Sequence, residues 1–232
     1  MSTYYIYRMT CDTGNAPCVT DINGNKTGLL TLACCKGGQI RRYKSGKVTE
    51  VRTGLRKTIG GHFIKNRESD ACDDIFVIGI MKDRVLYVAK ITEVLTMSEY
   101  FSIYEYRNRK DCIYDVVSKN ADYLLKRRDG FNAYFHGNAV KDAEKQHICD
   151  RLGTYVLLSD EFSYYGIARK DIPFSMSECL PKGRESKILT EMDKCYGQTK
   201  DFVSKCLGER FVSDKPTSEL GANNCKSKGC QK

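Results

Sequence analysis

A chain of 232 residues with 41% hydrophobic and 29% charged residues is long enough to bury a core and too apolar to stay disordered, so a folded domain is expected. No stretch approaches the ~18 apolar residues that span a membrane, and the tyrosine-rich first eight residues lack the apolar run of an export signal, so a soluble cytoplasmic protein with no membrane partner is expected. The formal charge of +9 turns attention to polyanions.

In chain order, Tyr4-Tyr5-Ile6-Tyr7-Arg8-Met9 is aromatic and β-branched and predicts a first strand. Residues 11–18, with Asp12-Thr13-Gly14 and Ala16-Pro17, predict a loop, and Asn23-Gly24 a turn. The apolar run 29–34 then predicts a buried strand. It stops at Cys35-Lys36-Gly37-Gly38, where paired glycines permit a tight or positive-φ turn that delivers Gln39, Arg41 and Arg42. Residues 44–56 predict a hairpin turning at Lys44-Ser45-Gly46-Lys47. Gly54, Gly60 and Gly61 predict a loose segment reaching out from the body.

Ile75-Phe76-Val77-Ile78-Gly79-Ile80 predicts a central strand, Lys82-Asp83-Arg84 a turn, and 85–95 a long return strand. Ser98 is the expected N-cap of a helix with Glu99 in its first turn. Cys112-Ile113-Tyr114 and 155–159 predict two more strands, and 160–166 an acidic then aromatic turn, whereas 122–138 permits no assignment. Residues 186–207 predict a helix, since Ile188, Met192, Cys195, Thr199, Phe202, Val203, Cys206 and Leu207 share a face and Gly208 can close it. The expected organisation is a single α+β domain over 1–210, with a basic insertion at about 43–70 and a flexible tail over 211–232. Its strands form a small mixed β-barrel or curled sheet flanked by two or three helices.

Twelve cysteines in a long chain without an export signal or any Cys-x-x-Cys read as reduced, structural thiols. The charge is more specific. From 36 to 67 there are ten basic residues against one acid, Glu50, a surplus equal to that of the entire chain. Clustered Lys and Arg gain affinity for nucleic acid by releasing counterions. Lys36, Gln39, Arg41, Arg42, Lys44, Lys47, Arg52, Arg56 and Lys57 are therefore the expected nucleic-acid or phosphate contacts. The alternative is a solvated hairpin with solubilising charges.

No P-loop, dinucleotide-binding glycine pattern, His-Glu-x-x-His or nucleophile elbow is present, so no catalytic residue is assigned and no metal or cofactor is expected. Asp73-Asp74 reads as a turn before a strand, and His136 and His147 have no partner visible in the sequence. Fifteen tyrosines beside cationic groups supply faces suited to base stacking.

Tyr7, Asp12, Gly14 and Ala16-Pro17, then Leu32-Ala33-Cys34-Cys35-Lys36 with Ile40-Arg41-Arg42, Ile75-Phe76-Val77-Ile78-Gly79, Ile91-Thr92-Glu93 and Val156-Leu157-Leu158-Ser159-Asp160-Glu161-Phe162-Ser163-Tyr164-Tyr165-Gly166 resemble the nucleotide-modification-associated domain of type two. That family is borne by phages and bacteria and linked to DNA-base-modification gene neighbourhoods. The resemblance implies a nucleic-acid context, and host cytoplasm if the gene is phage-borne. It implies a base or ligand pocket drawn from Tyr7, Asp12, Pro17, Cys35, Tyr164 and Tyr165, to which Tyr114 is added. The family pattern brings the arginine pair close to the Ile75 strand, whereas here about thirty residues intervene and hold most of the basic surplus. The hairpin over 74–93 also resembles the small RNA-binding barrels of the pseudouridine-synthase-and-archaeosine-transglycosylase (PUA) type.

Three functions follow as expectations. The first is a module that binds nucleic acid or a modified nucleotide. The second is an enzyme acting on a nucleotide or modified DNA base. The third is a phage protein that binds and inhibits a host factor.

Overall fold

The computed structural model describes residues 1–10, 12–42, 48–69, 73–117, 125–128, 143–183 and 185–217. In chain order these form β1 (Ser2–Arg8), β2 (Cys18–Thr20), β3 (Lys26–Leu32), β4 (Gly38–Arg42), β5 (Val48–Thr53) and helix α1 (Leu55–Glu68). Next come β6 (Asp74–Met81), β7 (Arg84–Lys90), β8 (Glu93–Thr96), α2 (Met97–Ser102) and β9 (Tyr114–Val116). The last part holds β10 (Leu125–Arg127), α3 (Ala143–Arg151), β11 (Tyr155–Ser159), β12 (Glu161–Tyr164), β13 (Lys170–Asp171), β14 (Ser186–Leu189) and α4 (Tyr196–Glu209).

Two sheets organise the chain. One runs β12-β7-β6-β1-β14 with β13 also on β7, and the other runs β2-β3-β11-β8. The β1–β6 pair is parallel, Tyr5 opposite Val77, and the remaining named pairs are antiparallel. The chain crosses between the sheets four times, and two of the crossings, at Ile91-Thr92 and at Asp160, lie together. The Thr92 N–H donates to the Leu158 carbonyl at 3.0 Å, and the Asp160 N–H donates to Thr92 Oγ1 at 3.3 Å. The result is the curled-sheet form of the α+β expectation, folded over at one corner and not closed into a barrel. Among the described residues no helix is long and apolar enough to cross a membrane.

Period-two alternation fills the layers. Tyr5 and Tyr7 of β1, with Ile75 and Val77 of β6, face Leu30, Leu32 and Leu157 between the sheets. Tyr4, Ile6, Phe76, Ile78 and Ile80 face the opposite way, onto Phe202, Val203 and Cys206 of α4. With both faces covered, β6 is apolar from Ile75 to Met81. Val156 and Leu158 pack outward under Met97, Tyr100 and Phe101 of α2. Burying each such side chain contributes about 1.5–3 kcal/mol. Gly79 gives the Tyr87 ring its place, since a Cβ there would stand 2.2 Å from that ring.

Several elements differ from expectation for identifiable reasons. The supposedly loose region after the basic hairpin is helix α1, which sends Ile59 into the core between the sheets and packs Gly60 against the Tyr155 ring. The expected 186–207 helix begins only at Tyr196. Ile188 lies on edge strand β14, Met192 is exposed in a turn, and Gly208 sits inside α4, which Arg210 ends at φ 45°. The long strand after Arg84 breaks at Ile91 because its two halves belong to different sheets. The 160–166 turn is mostly strand β12, paired with β7. The α2 helix is capped by Thr96, in a capping box with Glu99, two residues before the expected Ser98. Residues 211–217 are bound to the body. Val212 packs on the core, and Tyr164 and Ser213 exchange backbone hydrogen bonds with Phe211 and Tyr164. Cys179 and Cys195 form a disulfide, whereas Cys18, Cys34, Cys112 and Cys206 are buried thiols.

Candidate nucleic-acid interface

The chain leaves β3 through Ala33 and Cys34, both buried, and reverses at Cys35 and Lys36, which carry φ of 59° and 52°. The left-handed residues are thus not the glycines that follow. Gly37 answers a different demand, close approach. A Cβ on it would stand 2.1 Å from the Cys149 carbonyl oxygen, and one on Gly54 would stand 2.3 Å from the Gly37 carbonyl. Three backbone segments meet there, and only glycine allows the contact.

Two buried groups hold this turn in a conformation that costs β-carbon residues roughly 1–3 kcal/mol each. The Cys35 N–H donates to Asp150 Oδ1 at 2.7 Å, and Arg56 Nε donates to the Cys35 carbonyl at 2.7 Å. The other guanidinium nitrogens of Arg56 donate to the carbonyls of Tyr155 and Asp150. Arg56, expected on the phosphate surface, is 0% exposed. All three nitrogens are engaged with main-chain carbonyls, so it scaffolds the turn and is no surface contact. Tyr114, expected in the ligand pocket, is also fully buried. Its hydroxyl donates to Asp150 Oδ2 at 2.8 Å and its ring stacks on His147 at 5.1 Å. Burial pushes the Asp150 carboxyl up to about 6.

Beyond the turn, Gln39, Arg41 and Arg42 are backbone positions of β4, opposite Arg52, Glu50 and Val48 of β5. Lys44 and Lys47 fall outside the described residues. Arg52 is exposed, as are Lys57, Lys65 and Arg67 along α1, with the Arg67 guanidinium 4.6 Å above the Phe63 ring. Lys36 is half-buried, its ammonium 5.0 Å from the centre of the Tyr7 ring.

That ring leads to a second, internal cluster. The Tyr7 and Tyr87 hydroxyls lie 2.7 Å apart. Asp12, 1% exposed, accepts from the Gly14 N–H through Oδ1, and through Oδ2 from the Tyr164 hydroxyl at 2.9 Å and the Thr217 N–H at 3.2 Å. Burial raises the Asp12 carboxyl and the hydroxyls of Tyr7, Tyr87 and Tyr164, so the phenols keep their protons at neutral pH. The charge of Asp12 is felt by Tyr7, Tyr87 and Tyr164, and that of Cys35 by Tyr7. Chemically this is a set of protonated phenols and one buried carboxyl beside one ammonium.

Of the expected pocket residues, Tyr7, Asp12, Cys35 and Tyr164 therefore converge, with Lys36 beside them. Pro17 is buried after a cis Ala16–Pro17 bond that leads into β2. Tyr165 does not join them. It lies on the α4 side of the first sheet, its hydroxyl donating to Glu209 at 2.8 Å and its ring stacked on Phe211. Tyr87 and Asp150 complete the site without having been expected in it. For Tyr87 a signal existed, since Gly79 faces it across the β6–β7 hairpin, where a missing side chain leaves room for a ring. For Asp150 there was none.

No curated protein and no solved structure matches the chain. The family model for nucleotide modification associated domain 2 matches residues 1–219, a span that holds the turn, the basic hairpin and helix, and the Asp12 cluster, and the chain belongs to that family.

Proposed function

We propose that the protein binds nucleic acid or a modified nucleotide in DNA base modification, with phosphate held at Lys36 and along the basic face of β5 and α1. The observation that carries this reading is the surplus of ten basic residues to one acid between 36 and 67. Arg52, Lys57, Lys65 and Arg67 of that segment are exposed, and Lys57 and Lys65 have no acidic partner among the described residues. Such a surface gains affinity from counterion release, so binding falls steeply with salt. Fluorescence anisotropy with labelled duplex DNA, single-stranded DNA and RNA tests this between about 50 and 200 mM salt. A steep loss of affinity, further weakened in Lys36→Ala, is expected. Affinity indifferent to salt overturns the reading.

The Asp12 cluster favours a second reading, an enzyme acting on the bound nucleotide or base. Phenols that keep their protons beside an ammonium, with a buried carboxyl raised above its ordinary value, are equipped for proton transfer with a bound base. Incubating the protein with a panel of nucleotides and modified DNAs, followed by mass spectrometry, is expected to show a product that Asp12→Asn abolishes. Tight binding with no product counts against it.

A further inference from the structure

Asp150 is one of three buried carboxylates described in the chain, with Asp12 and Asp111. It lies in α3, is 1% exposed, and reaches across 115 residues of sequence to the Cys35 N–H. Both carboxylate oxygens accept: Oδ1 from Cys35, Oδ2 from the Tyr114 hydroxyl of β9. Its main-chain carbonyl accepts from Arg56, whose Nε in turn holds the Cys35 carbonyl. The peptide units on both sides of Cys35 are thus tied to one residue, one directly and one through Arg56. The next residue is Lys36, whose left-handed backbone depends on that restraint and whose ammonium stands over Tyr7.

We infer that Asp150 is a positioning residue for phosphate recognition: its carboxylate fixes the turn at Cys35 and sets where the Lys36 ammonium stands. This rests on the binding reading above and deepens it by naming what presents the lysine. Hydrogen-bond count makes the ionised carboxylate the better clamp. An ionised carboxylate accepts at both oxygens, and both facing groups, an N–H and an O–H, are donors. A protonated carboxyl spends one oxygen as a donor, so one of the two contacts weakens. The titratable groups around Asp150 are Cys34 and Cys35 of the turn, Arg56 of α1 and Tyr114 of β9, with His147 stacked behind Tyr114. Losing its charge as pH falls through about 6, Asp150 then lets the turn relax.

A double-mutant cycle on the full chain tests this, with a labelled DNA duplex as probe. Lys36→Ala and Asp150→Asn are each expected to weaken binding about tenfold, as loss of one charged contact does. The double variant is expected to be no weaker than either alone, because Asp150 acts through Lys36. Additive losses overturn the inference. A second readout needs neither DNA nor a variant that folds. After reductive 13C-methylation, the Lys36 methyl resonance of the wild-type chain carries the ring-current shift of Tyr7. It is expected to move with a midpoint near the Asp150 value of about 6. A resonance unmoved through that range overturns the inference. If the wild-type chain binds no oligonucleotide, the binding reading falls, and the Lys36 resonance still decides whether Asp150 positions the turn.

Discussion

Two arginines are buried among the described residues, and they are buried for different ends. Arg109 faces its own counter-ion. Its Nε lies 3.5 Å from Asp111 Oδ1, and the remaining nitrogens donate to Thr27, Thr31 and the Cys18 and Leu29 carbonyls. Tyr100 and Thr31 complete Asp111. Arg56 faces only carbonyls, while its nearest carboxylate, Asp150, turns its oxygens to Cys35 and Tyr114. The electrostatic outcome differs accordingly. Burial pulls the Arg56 guanidinium down, whereas at Arg109 burial is again the largest influence but Asp111, Cys18 and Tyr100 together outweigh it and the group is raised. One arginine closes a charge pair that staples β2 and β3 to the segment after α2. The other leaves a carboxylate available to hold a strained turn. A buried ion pair locks a sheet; a separated one serves a site.

Breaking the staple is expected to have the largest effect. Arg109→Ala or Asp111→Ala strands a buried charge and should lower the unfolding free energy by about 3–5 kcal/mol, read by urea denaturation. Oligonucleotide affinity of the protein that remains folded should not change. A loss under about 1 kcal/mol would show that the pair is solvated and the contrast with Arg56 false.

Asp150 should reveal itself through pH. Its carboxyl titrates at about 6 in the fold, against an ordinary value of 3.8, so the native state holds the proton more tightly than the unfolded chain. Its contribution to stability is therefore complete below about pH 4 and is lost as pH rises through about 6, on the order of 2–3 kcal/mol. The protonated form thus favours the fold while holding the turn with one acceptor fewer. Asp150→Asn should flatten that slope in denaturant titrations at pH 4 to 7, leaving the smaller part due to Asp12, which burial shifts in the same direction. An unchanged slope would assign it elsewhere.

Where packing covers both faces of an element, the sequence was legible. The run at 75–80 reads as a buried strand because every position is apolar, 155–159 reads as a strand through its apolar centre Val156-Leu157-Leu158, and Lys82-Asp83 reads as a turn that the structure closes with two left-handed residues. Legibility failed where a residue's reason lies far along the chain. Helix α1 shows few apolar positions and two glycines, a weak helical signal, because Gly60 serves the Tyr155 ring and not the helix. Arg56 stands among nine other basic residues, and spacing does not record which of them is buried. Asp150 meets its partner only through tertiary structure. Asp12 and Tyr164, by contrast, both belong to the residues that carry the family resemblance, which did not pair them; the structure hydrogen-bonds the two.

The glycine pair of α1 tests how firmly that helix seats Arg56. Both glycines are helical, and in open space alanine is better by about 0.8–1 kcal/mol. At Gly61 nothing lies within 4 Å of an added Cβ, so Gly61→Ala should stabilise by roughly that amount. At Gly60 the Cβ would meet the Tyr155 ring at 2.5 Å, and Gly60→Ala should destabilise by about 1–3 kcal/mol. Equal, stabilising effects would mean that α1 is not anchored against β11.

The smallest effects belong to the exposed lysines, and they separate scaffold from surface. Lys57 follows Arg56 directly in α1, yet it is exposed where Arg56 is sealed. Lys57→Ala and Lys65→Ala remove no buried contact, so each should leave unfolding free energy within about 0.5 kcal/mol of wild type. Each should weaken oligonucleotide binding evenly across sequences and reduce the slope of log affinity against log salt by about one. Arg56→Ala should do the reverse, lowering stability by freeing three buried carbonyls while leaving the salt slope contributed by Lys57 and Lys65 intact. Should Lys57→Ala leave both the affinity and the slope untouched, the face of α1 is only a solvated surface, and phosphate contact contracts to the turn at Lys36.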